Sequence, residues 1–260
     1  MHFIQFVTKN SSSADLNIMH ENKKIPKVYN TKFLGLMLDN TLSRKTHIDT
    51  ILPKLSSATI ALSVVKPFLS QDSQKMVYYS YFHSVMTYGL IFWGNSHHSN
   101  IIFRLQKRII RIVVGIRGRD SCREHFKKVK ILPIQSQYIL SLTLFVIDNG
   151  NYFIVNSEIH ISARNKSNLH FPISNLSVYQ KGTYYSGIRV SNGLPSQIKD
   201  LSHNRSQFKV PWKISCIFIH FIPWMNILAI IRFKIFTIVY QFFIFLSFIL
   251  RIVDPLIDLK

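Results

Sequence analysis

The 260-residue chain carries 32 Lys and Arg against 12 Asp and Glu, a net charge of +20, with 47% apolar residues and only nine each of Gly and Pro. That composition excludes collagen-like and disordered chains; two cysteines, Cys122 and Cys216, exclude a four-thiolate zinc site, and so few acids leave little material for clustered-carboxylate chemistry. A positive excess this large, on a chain long enough to bury a core, points to a polyanionic partner.

Residues 1–13 hold no apolar run longer than 3–7, which Gln5 interrupts, so no secretory signal is read and an intracellular setting is expected. Residues 28–38 (VYNTKFLGLML) are β-branched, aromatic and apolar, and Gly35 within them predicts a short strand or hairpin. Residues 46–65 place Ile48, Ile51, Leu52, Leu55, Ala58, Leu62 and Val65 at helical steps; Pro53 argues against one straight helix, and Lys66-Pro67 ends it. Ser70 caps the next predicted helix, 71–88, with an apolar face of Met76, Tyr79, Val85 and Tyr88. Gly89, Gly94 and the polar stretch 95–100 then break the chain.

Residues 100–116 form the clearest amphipathic helix. Ile102, Leu105, Ile109, Ile112, Val113 and Ile116 share one arc, Arg104, Lys107, Arg108 and Arg111 the opposite one, and Gly115 and Gly118 mark the end. Ser121 and Glu124 have capping-box spacing and open a short basic helix containing Lys127 and Lys128. Another helix is predicted over 135–148, closed by Asn149-Gly150. From 151 to 209 the periodicity weakens. Residues 210–260 are rich in Ile and Phe, and within them 235–253 approaches the length of a membrane span.

Ten Lys and Arg fall within 101–130 against Asp120 and Glu124, a density that concentrates positive potential and suits a phosphate backbone. The aromatic groups at 78–82, 92–93 and 184–185 are expected mostly in the core rather than stacked on bases. No His-x-x-x-His or Cys-x-x-Cys pair, phosphate-binding glycine loop, dinucleotide fingerprint or nucleophile elbow occurs, so no catalytic or metal-binding residue is assigned.

Several motifs in order resemble one family. They are Lys32-Phe33-Leu34-Gly35 followed by Leu38-Asp39, then Leu42 with His47-Ile48, Tyr78-Tyr79-Ser80 to His83-Ser84, and Tyr88-Gly89 with Phe92-Trp93-Gly94. Leu105-Gln106-Lys107-Arg108, Cys122-Arg123-Glu124, Lys130-Ile131-Leu132-Pro133, Arg164-Asn165 and the run from Gln180-Lys181-Gly182 through Asn192 to Leu194-Pro195 continue the series. From about residue 2 to 213 the chain thus resembles the downstream part of the reverse transcriptase of jockey-type non-LTR retrotransposons.

The resemblance implies a palm remnant over 1–45, with Lys32, Phe33, Leu34 and Gly35 as a primer-grip-like hairpin, a helical thumb-like domain over 46–150 and a connection-like region over 151–209. The fold expected is mainly α: a short N-terminal β-hairpin, a helical bundle, a less regular 151–209 and hydrophobic C-terminal helices. The family's catalytic acids, an upstream Asp and a Tyr-x-Asp-Asp turn, have no counterpart here, and no Asp-Asp pair occurs anywhere. The expectation is therefore a truncated, catalytically inactive RNA-directed DNA polymerase fragment with no cofactor, since Mg would belong to the missing palm. It would retain affinity for RNA or DNA duplex or another polyanion through Arg104, Lys107, Arg108, Arg111, Lys127 and Lys128, and no small-molecule substrate is expected. After about residue 213 the likeness stops, as a frameshifted copy produces. The alternative reading is a basic protein anchored in a membrane through 235–253; without that insertion a nuclear or cytoplasmic location is expected.

Overall fold

The computed structural model describes residues 1–8, 15–118, 120–159 and 166–194. Arg119, Arg164-Asn165 and everything from Pro195 onward, including the 210–260 tail and its 235–253 stretch, lie outside the described residues. The chain divides into two compact units, Met1–His125 with Pro133–Leu194, and Phe126–Leu132 with Pro195–Lys260.

The protein is mainly helical behind short N-terminal strands. Strand β1 (Phe3–Ile4) pairs in parallel with β4 (Lys27–Val28); β2 (Met19–His20) and β3 (Lys23–Lys24) form one hairpin, and β5 (Asn30–Phe33) and β6 (Leu36–Asp39) a second. Each hairpin turns over two residues with positive φ, Glu21-Asn22 (49° and 58°) and Leu34-Gly35 (46° and 80°), the geometry whose twist matches that of paired strands. The second is the hairpin the sequence predicts, with Gly35 at the turn position that asks most for glycine.

Helix α1 (Lys45–Val65) is continuous, correcting the expectation drawn from Pro53. Pro53 lies on the exposed side, so the Asp49 carbonyl that loses its amide partner is on the solvent face. The start of α1 is organised by the buried Asp39 carboxylate. It accepts the Ser43 N–H at 2.7 Å and the Thr46 hydroxyl at 3.4 Å, and the Ser43 hydroxyl also donates to it. Replacing Asp39 with Ala strands these donors, and urea denaturation is expected to register a loss of about 2 kcal/mol; an unshifted midpoint would remove this capping role.

Residues 71–87 wind as α2 (Gln71–Val77), a π-helical turn Tyr78–His83, and α3 (Ser84–Thr87). Ser70 caps as expected, its hydroxyl accepting the Ser73 N–H at 3.3 Å. The buried face is not the predicted one: Gln74, Tyr78, Phe82, His83 and Met86 are buried, whereas Met76 and Tyr88 are more than half exposed. Steps of four drift around a 3.6-residue helix, and the wider π turn takes out that drift, holding 74, 78, 82 and 86 on one side.

Helix α4 (Leu90–Trp93) leads to α5 (Ser99–Val114), and α6 (Arg123–Val129), α7 (Ile134–Asp148), α8 (Asn156–Ile159), α9 (Ser177–Gln180) and α10 (Thr183–Asn192) follow. The main core joins Ile48, Leu55 and Leu62 of α1 with Tyr78, Phe82, Met86 and with Ile102, Ile109 and Ile110 of α5. Helices α1 and α5 run the same way: Ser96 Oγ donates to Ser43 O at 3.2 Å before their first turns, and Gly115 lies against Lys66 Nζ after their last. A second cluster, Val146, Phe153 and Ile188, ties α7 to α10, with Phe153 stacked on Tyr184 at 4.9 Å. Among the described residues one unbroken helix, Lys45–Phe68, is long and apolar enough to cross a membrane, and its apolar side is the core just described.

Candidate nucleic-acid interface

The primer-grip-like residues Lys32, Phe33, Leu34 and Gly35 form the exposed tip of the β5–β6 hairpin, with Leu34 76% and Phe33 60% exposed. The tip is held from behind by Tyr88, whose hydroxyl donates to the Leu34 carbonyl, and Trp93 Nε1 donates to Tyr88 O at 3.0 Å. Gly89 has φ +58°, and a Cβ there would stand 2.6 Å from Leu36 Cδ2. Three separate motifs of the sequence, 32–35, 88–89 and 92–94, thus meet at one place.

Under the hairpin His47 is 3% exposed, its Nδ1 accepting the Met37 N–H at 3.4 Å and its ring 5.9 Å from Trp93. Burial first, and Lys54 second, hold its pKa below the ordinary value of 6.5. The unfolded chain therefore binds this proton more readily than the fold does, and stability is full above pH 6.5 and declines as pH falls below it. His47→Gln is expected to flatten that acid limb of a pH series of thermal melts; an unchanged slope would clear His47 of the effect.

Helix α5 displays the expected basic arc, with a rotated apolar face. Ser99, Ile102, Gln106, Ile109, Ile110 and Val113 are buried, while Leu105, Ile112 and Ile116, predicted on that face, are only partly covered. At the centre of the observed face Gln106, fully buried, joins three segments, its Nε2 donating to Tyr78 Oη at 3.0 Å and its Oε1 accepting the Ile134 N–H at 2.9 Å. Burial drives the Tyr78 phenol far above its ordinary pKa, so it stays neutral.

Opposite that face Arg104 and Arg108 are exposed; Lys107 is half-buried with Nζ 4.9 Å from the centre of the Phe103 ring. Arg111 is not simply a free surface charge, since its Nε and Nη2 donate to Asp120 O at 3.3 and 3.0 Å and fasten the following turn. Lys127 and Lys128 are exposed on the last turn of α6. The Ser121 hydroxyl accepts from the Arg123 N–H at 3.4 Å, two residues on.

Of the aromatic groups, Tyr78, Phe82 and Trp93 are core, Tyr79 is partly buried, and Tyr81 and Phe92 are exposed. The Cys122 thiol, pushed up by burial, donates to Lys107 O at 3.6 Å, a structural rather than nucleophilic setting. The donor set does not fit a pair of divalent ions: the described residues contain no group of three or more His, Cys, Asp or Glu placed to hold a metal, and Asp39 is engaged by Ser43 and Thr46. Comparison of the chain with protein-family models, curated proteins and solved structures gave no match.

Proposed function

We propose that the chain holds nucleic-acid duplex by its phosphate backbone, in the manner of a reverse-transcriptase thumb, and does not itself polymerise. The observation that carries the reading is the outward arc of Arg104, Lys107 and Arg108 on α5, whose opposite face is anchored in the core. The braced hairpin tip, with Lys32 exposed, supports it. Charges on such an arc read phosphates, not base edges, so binding is blind to sequence and releases counterions. Fluorescence anisotropy of labelled duplexes, titrated with salt, tests this. Affinity is expected to fall by about 0.9 log unit per log unit of salt for every phosphate contacted, equally for two unrelated sequences. Salt-independent binding, or a strong preference for one sequence, would overturn it.

A further inference from the structure

The parallel run of α1 and α5 brings the two turns that precede them, 41–44 and 95–98, to one pocket of about 550 Å3. Arg44, His97, His98 and Lys181 line it, and among the described residues no carboxylate does. Arg44 is the half-buried member: desolvation lowers its pKa, and Nη2 donates to Lys181 O at 3.3 Å. Asp39, the acid that acts on Arg44 electrostatically, already accepts from Ser43 and Thr46. The pocket therefore holds two cations, Arg44 and Lys181, beside the His97-His98 turn, with Asp39 outside its wall, and the first turns of both helices add partial positive charge to it.

A larger cavity of about 940 Å3 opens beside it and shares Thr41, Leu42, Arg44, Leu176 and Val178 with the polar pocket. Its remaining walls are mostly apolar and aromatic, with Phe33, Leu36 and Leu38 from the hairpin and Phe92 beyond Gly89, interrupted by Asn40 and Thr183, and again no carboxylate among the described residues. Phe33, Phe92 and Leu176 each leave more than half of their surface in water, an exposed apolar groove of ligand-binding size. Arg44 stands at the seam. A ligand that satisfies both cavities carries a compact, multiply charged anion on an apolar chain. A nucleic-acid strand fits less well, because its repeating phosphates would meet one cationic pocket and then a wall with no described cation beyond Arg44.

We propose that the two cavities together bind a phosphorylated amphiphile, its phosphate held by Arg44, Lys181 and the His97-His98 turn and its chain laid in the groove between the hairpin and Leu176-Val178. The site is separate from the outward arc of α5, although its groove borders the hairpin tip at Phe33 and Leu34; reversal of Arg104 and Arg108 tests the one and Lys181→Gln the other. The phosphate can belong to a soluble single-chain lipid or to a bilayer headgroup, and the test separates the two.

Calorimetric titration of the full chain with dodecyl phosphate, below its micelle concentration, is compared with inorganic phosphate and with uncharged dodecyl maltoside. One dodecyl phosphate per chain is expected, at least about tenfold tighter than either control. Lys181→Gln, an exposed position, is expected to weaken it several-fold, and Phe92→Ser, in the groove but not in the polar pocket, to weaken dodecyl phosphate while leaving inorganic phosphate unchanged; circular dichroism checks that both variants fold. Co-sedimentation with phosphatidate vesicles but not phosphatidylcholine vesicles assigns the bilayer source, and its absence alongside dodecyl phosphate binding assigns the soluble one. Equal binding of the maltoside, indifference to both substitutions, or displacement of dodecyl phosphate by a single-stranded oligonucleotide would overturn the proposal.

Discussion

Reversing both exposed arginines of α5, Arg104→Glu with Arg108→Glu, is expected to weaken duplex binding on the order of 100-fold at low salt and to make the salt dependence shallower by about two phosphate contacts. The size follows from losing two attractive contacts and placing two carboxylates where phosphates would sit. Both side chains point away from the core, so thermal stability is expected to stay nearly unchanged. Arg111 is left alone because it fastens the turn through Asp120 O, and its reversal would mix binding with folding. The control is Lys23→Glu with Lys24→Glu on the exposed β3, which changes net charge by the same amount. If that variant loses as much affinity, total charge rather than the α5 arc is responsible, and the interface assignment falls.

Gln106→Leu is expected to destabilise the bundle by about 2 to 5 kcal/mol. Leucine matches the apolar surroundings, yet it leaves the Tyr78 hydroxyl and the Ile134 N–H buried without the partner each now has. Adding Tyr78→Phe should recover part of the loss by deleting one of those stranded groups, while the Ile134 amide keeps the remainder. Urea denaturation of the two single variants and the double variant measures this. Strict additivity would show that Gln106 and Tyr78 do not act through their hydrogen bond.

The elements legible in the sequence are those whose signal is local. Gly35 between apolar residues announced the β5–β6 hairpin, Ser70 announced the start of α2, and the charge alternation of 100–116 announced α5. What stayed hidden depends on partners distant in the chain. A glutamine at the centre of a buried face is invisible to hydrophobic periodicity, because its burial is tolerable only once Tyr78 and the Ile134 amide arrive. The π turn at Tyr78–His83 shows only as a stripe at steps of four, which an α-helical wheel smears. Pro53 misled because its cost depends on which side of α1 faces water. The basic arc was readable residue by residue, whereas the second employment of Arg111 and the pocket joining 41–44, 95–98 and Lys181 required the fold itself.

The Gln106 link also bears on the order in which the protein assembles. Its two hydrogen bonds reach 28 residues back and 28 residues forward, so neither closes when a neighbouring turn forms; each waits for a loop of that length to shut. If both bonds close after the folding transition state, Gln106→Leu quickens unfolding far more than it slows refolding, and the side chain sets the lifetime of the folded chain rather than the speed of reaching it; slowed refolding with unchanged unfolding would place them in the nucleus instead.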